Sequence, residues 1–156
     1  MAELKNCRLP DDLRYHVDFN LWARDNGDGT CDIGMTDIAQ TMAGALLHCR
    51  AKKVGKSVAQ GKSLATIESG KWVGPLKSPF PCEIVARNEA VEARAALVNE
   101  SPYDDGWVVR VKPQAGATAI AALLAIDAAV EGFKAYMAEH GVEGCGSCPE
   151  PEAEAS

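Results

Sequence analysis

The chain has 156 residues, of which 47% are hydrophobic and only 6% aromatic, a size and composition suited to one domain with appendages, packed by small aliphatic side chains. A formal net charge of −6 argues against a nucleic-acid partner, because neutralising phosphate needs a basic face. No charge-free apolar run of about 18 residues occurs, so no membrane-spanning helix and no membrane partner are expected.

The opening "MAELKNCRLPDD" lacks the apolar stretch of a secretory signal. Residues 1–12 read as an N-terminal arm, and the protein is expected in the cytoplasm. In a reducing compartment Cys7, Cys31, Cys49, Cys82, Cys145 and Cys148 are expected as free thiols. Tyr15, Val17, Phe19 and Leu21 then alternate with polar residues, the period of a strand. "NGDG" at 26–29 is a turn, because Asn and Gly tolerate positive φ, and a second strand carries Cys31, Ile33 and Met35. Cys31 is expected in the core. "TDIAQTMAG" starts with a Thr-Asp cap, makes one or two helical turns and ends at Gly44.

"ALLHC" is a short strand, and a further strand of about six residues follows Gly61. In "ATIESGKWVGPLKSP" two apolar runs, "LATI" and "WVGPL", place Lys71 at the tip of a hairpin. Pro75, Pro79 and Pro81 lack a ladder donor and mark edges, bulges and turns. "CEIVARN" and "WVVRVKP" are strands, separated by one or two helical turns in "EAVEARAALVNE" and a turn at 104–106. Short strands at this spacing form a small sandwich or barrel over residues 13–113. Residues 114–141 carry a C-terminal helix: over 118–140 it would span about 34 Å. Leu123, Ile126, Val130, Phe133 and Met137 form its apolar stripe. Residues 142–156 read as a flexible acidic tail.

Few residues form a pattern that carries chemistry. The sequence lacks a P-loop, G-x-S-x-G and H-E-x-x-H, and His16, His48 and His140 have no partner at ligand spacing, so no metal is expected. Cys145 and Cys148 share a C-x-x-C spacing, half a zinc site or a redox pair. Lys71 differs by its setting. A primary amine on a rigid two-strand lever is accessible to a modifying enzyme, and an attached group would swing freely.

The sequence resembles the glycine cleavage H-protein family and its lipoate-carrying relatives over about residues 13–113. "LWARDNGDGTCDIGMTDIAQ" is similar to W-V-R…G…V-G-I-T-D-x-A-Q, and "VGKSVAQGKSLATIESGK" to V-G-x-x-V-x-x-G-x-x-x-x-x-I-E-S-x-K. "KSPFPCEIVARNEAV" is similar to S-P-x-x-G-x-V-x-x-x-N, and "LVNESPYDDGWVVRVKP" to L-V-N-x-x-P-Y-x-x-G-W-x-x-x-I. The resemblance implies a mainly β barrel-sandwich hybrid of two small antiparallel sheets, with short helices and the C-terminal helix. It implies a non-catalytic carrier with lipoate bound covalently to Lys71, and Glu68, Gly70 and Trp72 as flanks that aid recognition or shield the arm. The implied modifying partner is a lipoate-protein ligase or lipoyl-assembly enzyme, and a monomer is expected.

The family usually reads E-S-V-K-A where this chain reads "ESGKWVGPL". Gly70, Trp72 and the cysteines look more like the lipoate-binding proteins of bacterial sulfur oxidation. That likeness implies a heterodisulfide-reductase-like complex and sulfur transferases as partners, with sulfur intermediates as cargo. Thiol chemistry at Cys82, Cys49, Cys145 or Cys148 would suit it. The alternatives are a glycine-cleavage carrier of the aminomethyl group and a small thiol oxidoreductase.

Overall fold

The computed structural model describes residues 1–145. The chain begins with β1 (Ala2–Leu4) and β2 (Cys7–Leu9), an antiparallel pair. Lys5 and Asn6 turn between them at φ 51° and 69°, the positive values that a two-residue hairpin turn requires. Then come β3 (Arg14–His16), β4 (Leu21–Asp25), β5 (Cys31–Met35) and α1 (Asp37–Ala43). They lead to β6 (Leu46–Ala51), β7 (Ser57–Val58), β8 (Ser63–Ser69), β9 (Val73–Lys77) and β10 (Cys82–Arg87). The last elements are α2 (Glu89–Ala93), α3 (Ala96–Glu100), β11 (Val109–Pro113), α4 (Ala117–Ala121) and α5 (Ile126–His140).

Two antiparallel sheets form the body, a six-stranded one in the order β3-β4-β5-β11-β10-β7 and a three-stranded one in the order β6-β8-β9. This is the expected mainly β barrel-sandwich, to which the β1–β2 hairpin adds a third, two-stranded sheet. β5 lies between β4 and β11 and buries all five of its residues, as a strand covered on both faces must. One core fills the space between the sheets and includes Ile33, Leu64, Ile67, Ile84 and Val111. A second packs Leu4, Leu9, Tyr15 and Trp22 against Phe133 and Met137 of α5. α1 is capped as its sequence predicts: the Thr36 hydroxyl accepts from the Ala39 N–H at 3.0 Å, and Gly44 ends the helix. No helix among the described residues is long and apolar enough to cross a membrane.

The structure corrects five expectations. The alternation from Tyr15 to Leu21 is not one strand. His16 Nδ1 accepts from the Phe19 N–H, and the Asn20 N–H donates to the Val17 carbonyl at φ 57°, so the chain turns between β3 and β4. The helix expected over 118–140 is two helices. Leu124 exchanges backbone hydrogen bonds of 2.9 and 3.0 Å with Tyr15, which takes the chain out of helical conformation between Ala122 and Ile126. Phe133 and Met137 keep their predicted place on the buried face of α5, whereas Leu123 packs against the inter-sheet core.

The ends of the chain differ too. Residues 1–12 are folded into the hairpin and the second core rather than standing away as an arm. Cys7 and Cys145 are not free thiols but form a disulfide, so Cys145 does not pair with Cys148, which lies outside the described residues with the rest of 146–156. Residues 142–145 are held: the Val142 N–H donates to the Met137 carbonyl and the Cys145 N–H to that of Lys5.

Candidate functional site

β8 and β9 form the hairpin that the two apolar runs predict, with Glu68 opposite Val73 and Ile67 opposite Gly74. β8 anchors it by turning Ala65, Ile67 and Ser69 inward. β9 is a sheet edge, which accommodates Pro75 without loss of a ladder bond. At the tip the Ser69 N–H donates to the Trp72 carbonyl at 2.8 Å, and the Lys71 N–H donates to the Ser69 hydroxyl at 3.3 Å. Gly70, Lys71, Trp72 and Val73 are all exposed. Glu68 is half-buried, opposite His48 of β6.

The lysine side chain folds across the end of α1. Its Cε lies 3.2 Å from where a Cβ on Gly44 would stand, and Gly44 has φ 80°. Its backbone favours glycine there, and a Cβ would also crowd the passing amine arm. Asn99 fixes this corner. Its amide donates to the Gly44 carbonyl and to Gln40 Oε1, both at 2.9 Å, and its Oδ1 accepts from the Leu46 N–H at 2.9 Å.

Beside Lys71 runs a groove of about 640 Å³ whose apolar lining includes Phe19, Met35, Met42, Ile67, Trp72 and Leu76. Its rim is polar, with Asp18, Lys77 and, from the last turns of α5, Tyr136 and His140. Lys77 Nζ stands 5.6 Å over the Phe19 ring, and the rings of Tyr136 and His140 lie 4.2 Å apart. Trp72 enters the lining because position 74 is glycine. An atom at the Gly74 Cβ position would come within 2.3 Å of the indole. Gly70 has no such neighbour and no positive φ.

The structure thus brings together Lys71, Trp72 and the neighbouring Gly70 and Glu68, but not the thiols. Cys49 and Cys82 are buried at 3% and 0% exposure, and neither lines the groove. Burial pushes the Cys49 thiol up to about 12 and raises that of Cys82, whose Sγ lies 3.4 Å from the Ser78 hydroxyl. Both are packing residues with little thiolate to offer. No cluster of metal-ligating side chains occurs among the described residues. Sequence reasoning missed the approach of Gly44 to Lys71, and also Asn99, Met42 and the α5 wall. Asn99 stands in the "LVN" motif, which was a usable signal; the α5 wall had none.

Residues 13–136 match the family described as glycine cleavage H-protein. Glycine cleavage system H protein 5 of Aquifex aeolicus is 47% identical over 150 residues, spanning 94% of this chain and all of that one. H protein 2 of the same organism is 37% identical, over all of this chain and 94% of its own. Among solved structures, the glycine cleavage system H protein of Mycobacterium marinum superposes with a TM-score of 0.68 at 27% identity, covering 86% of this chain and all of that one.

Proposed function

This chain belongs to the glycine cleavage H-protein family, and on that premise we propose that Lys71 is its lipoyl attachment residue. Proteins of this family are non-catalytic carrier subunits that hold lipoate covalently on a lysine. The observation that carries the reading is the position of Lys71: exposed at a hairpin tip, beside an apolar groove, in the "ESGK" segment. The residues present fit the group. A groove lined by Phe19, Met35, Met42, Ile67 and Leu76 suits an acyl chain, and the small Gly44 leaves room at the amine end.

When bound, lipoate supplies a dithiolane that exchanges with thiols and can hold a group on one sulfur. The chain's own residues do the rest. The β8–β9 lever presents the Lys71 amine to a lipoate-protein ligase or lipoyl-assembly enzyme, with Glu68, Gly70 and Trp72 as the flanks that enzyme meets. Amide formation at Nζ removes the lysine charge, which favours residence against the apolar lining. Tethering to Lys71 raises the effective concentration of the arm at each partner in turn.

For the cargo we keep sulfur intermediates, exchanged in the cytoplasm with sulfur transferases and a heterodisulfide-reductase-like complex by a monomeric carrier. One observation supports this: Trp72, seated on Gly74, gives the groove an aromatic wall where the family usually has alanine. The buried cysteines lend no support. The second reading, carriage of an aminomethyl group, is favoured by the names of the Aquifex aeolicus relatives. Turnover with glycine decarboxylase separates the two. The sulfur reading predicts that the lipoylated chain sustains far less glycine decarboxylation than an authentic H-protein; equal turnover contradicts it.

A further inference from the structure

Outside the lysine groove, one site carries covalent chemistry. Cys7 at the start of β2 and Cys145 beyond α5 are joined across 138 residues of sequence. Their sulfurs sit in the same core as Phe133 and Met137, the buried face of α5. The chain reaches this bond by a tight route. Gly141 ends α5 at φ 69°, its N–H donating to the Met137 carbonyl. Gly144 passes so close to the β1–β2 turn that a Cβ there would stand 2.7 Å from the Lys5 oxygen. The Cys145 N–H donates to that same oxygen at 3.1 Å.

Both cysteines are buried, but a cavity of about 580 Å³ opens on the Cys145 side of the bond, with Cys145, Gly144, Asn6 and Thr41 in its lining. Met42 and His140 line this cavity and the lysine groove alike. The last turns of α5 are therefore at once the wall of the groove and the segment that the disulfide ties down.

We infer that Cys7–Cys145 is a redox-modifiable bond, a site for a small dithiol reductant entering from this cavity, and that its state sets how firmly α5 closes the lysine groove. In the forward step one thiolate of the dithiol attacks Cys145 Sγ, the S–S bond breaks, and Cys7 departs as a thiolate that takes up a proton. The second thiol of the reductant then displaces Cys145, which is protonated in turn. The dithiol is oxidised to a disulfide, two cysteines are reduced, and two electrons and two protons have moved. Reduction frees residues 142–145, removes the tie beyond Gly141, and lets Tyr136 and His140 swing from the groove. The rest of α5 keeps its hold through Ala129 and Phe133. The inference concerns the wall and not what Lys71 carries, so it stands or falls separately from the lipoyl assignment.

The test uses the full chain prepared without lipoate, so that no second disulfide competes, with dithiothreitol as the dithiol. Amide hydrogen exchange is compared before and after reduction, and thiols are counted. Two further thiols appear under native conditions. Exchange at Gly141, Val142 and Cys145 and in the last turn of α5 rises about tenfold or more, while β4 and β5 stay unchanged. Cys145→Ser reproduces the pattern without reductant; should that variant not fold, the comparison of oxidised with reduced wild type decides alone. The inference is overturned if dithiothreitol cannot open the bond in the folded chain. It is equally overturned if exchange at 136–145 is unchanged after reduction, or rises throughout the molecule.

Discussion

Two hairpins of this protein each seat a tryptophan on a glycine, to opposite ends. In the β4–β5 hairpin Trp22 faces Gly34 across the ladder, with ring atoms 2.6 Å from where a Cβ would be. That ring is fully buried, and its Nε1–H is shared between the carbonyls of Met35 at 3.1 Å and Pro102 at 2.9 Å. In the β8–β9 hairpin Trp72 lies over Gly74, two residues on in the chain rather than across the ladder, and it remains 42% exposed and lines a groove. Their turns differ as well. The first is locked by Asp25 accepting from the Gly27 N–H at 2.8 Å and Asp28 from the Thr30 N–H at 3.0 Å, with Gly27 and Gly29 at positive φ. The second has only the Ser69–Trp72 and Ser69–Lys71 bonds. One hairpin is built into the sheet that holds the fold; the other is built to project.

The contrast predicts a ranked set of effects. Trp22→Ala empties the largest buried side chain and orphans two acceptors, and should cost about 3–5 kcal/mol in urea unfolding, whereas Trp72→Ala should change stability by no more than about 0.5 kcal/mol. Comparable losses would erase the distinction. Gly34→Ala forces a methyl into Trp22 and should cost about 1–3 kcal/mol. Gly74→Ala should leave stability nearly unchanged while moving the Trp72 ring, read as a shift in the difference fluorescence against Trp72→Phe. Gly70→Ala meets empty space at an ordinary φ, so its unfolding midpoint should hold or rise slightly, by up to about 1 kcal/mol. In the folded, oxidised chain at pH 8, Cys31, Cys49 and Cys82 should resist iodoacetamide, since burial raises each thiol well above that pH. Rapid alkylation of Cys49 or Cys82 would restore them as candidates for sulfur chemistry.

Much of this was legible in the sequence, for local reasons. The NGDG turn, the Thr36 cap, Gly44 and the two apolar runs around Lys71 are encoded within a few residues of where they act. What was not legible depends on distant pairing. The break before α5 exists because Leu124 bonds to Tyr15, and the β1–β2 hairpin is held by α5 and by a bond to Cys145. Alternation from Tyr15 to Leu21 misled because His16 and Asn20 satisfy the backbone in a turn instead of a ladder. The groove was invisible for the same reason: its walls come from segments as far apart as Phe19, Lys71 and His140. The lysine could be singled out by its position, but only the family motif identifies what it carries.

The central claim is that the projecting hairpin exists to offer Lys71 for lipoylation. Peptide mass spectrometry of the chain, isolated from cells competent to attach lipoate, tests it most directly. The account predicts a lipoyl mass increment on the peptide containing Lys71, and its complete loss in a folded Lys71→Arg variant. An increment on another lysine, or none on the wild-type chain in such cells, would contradict it.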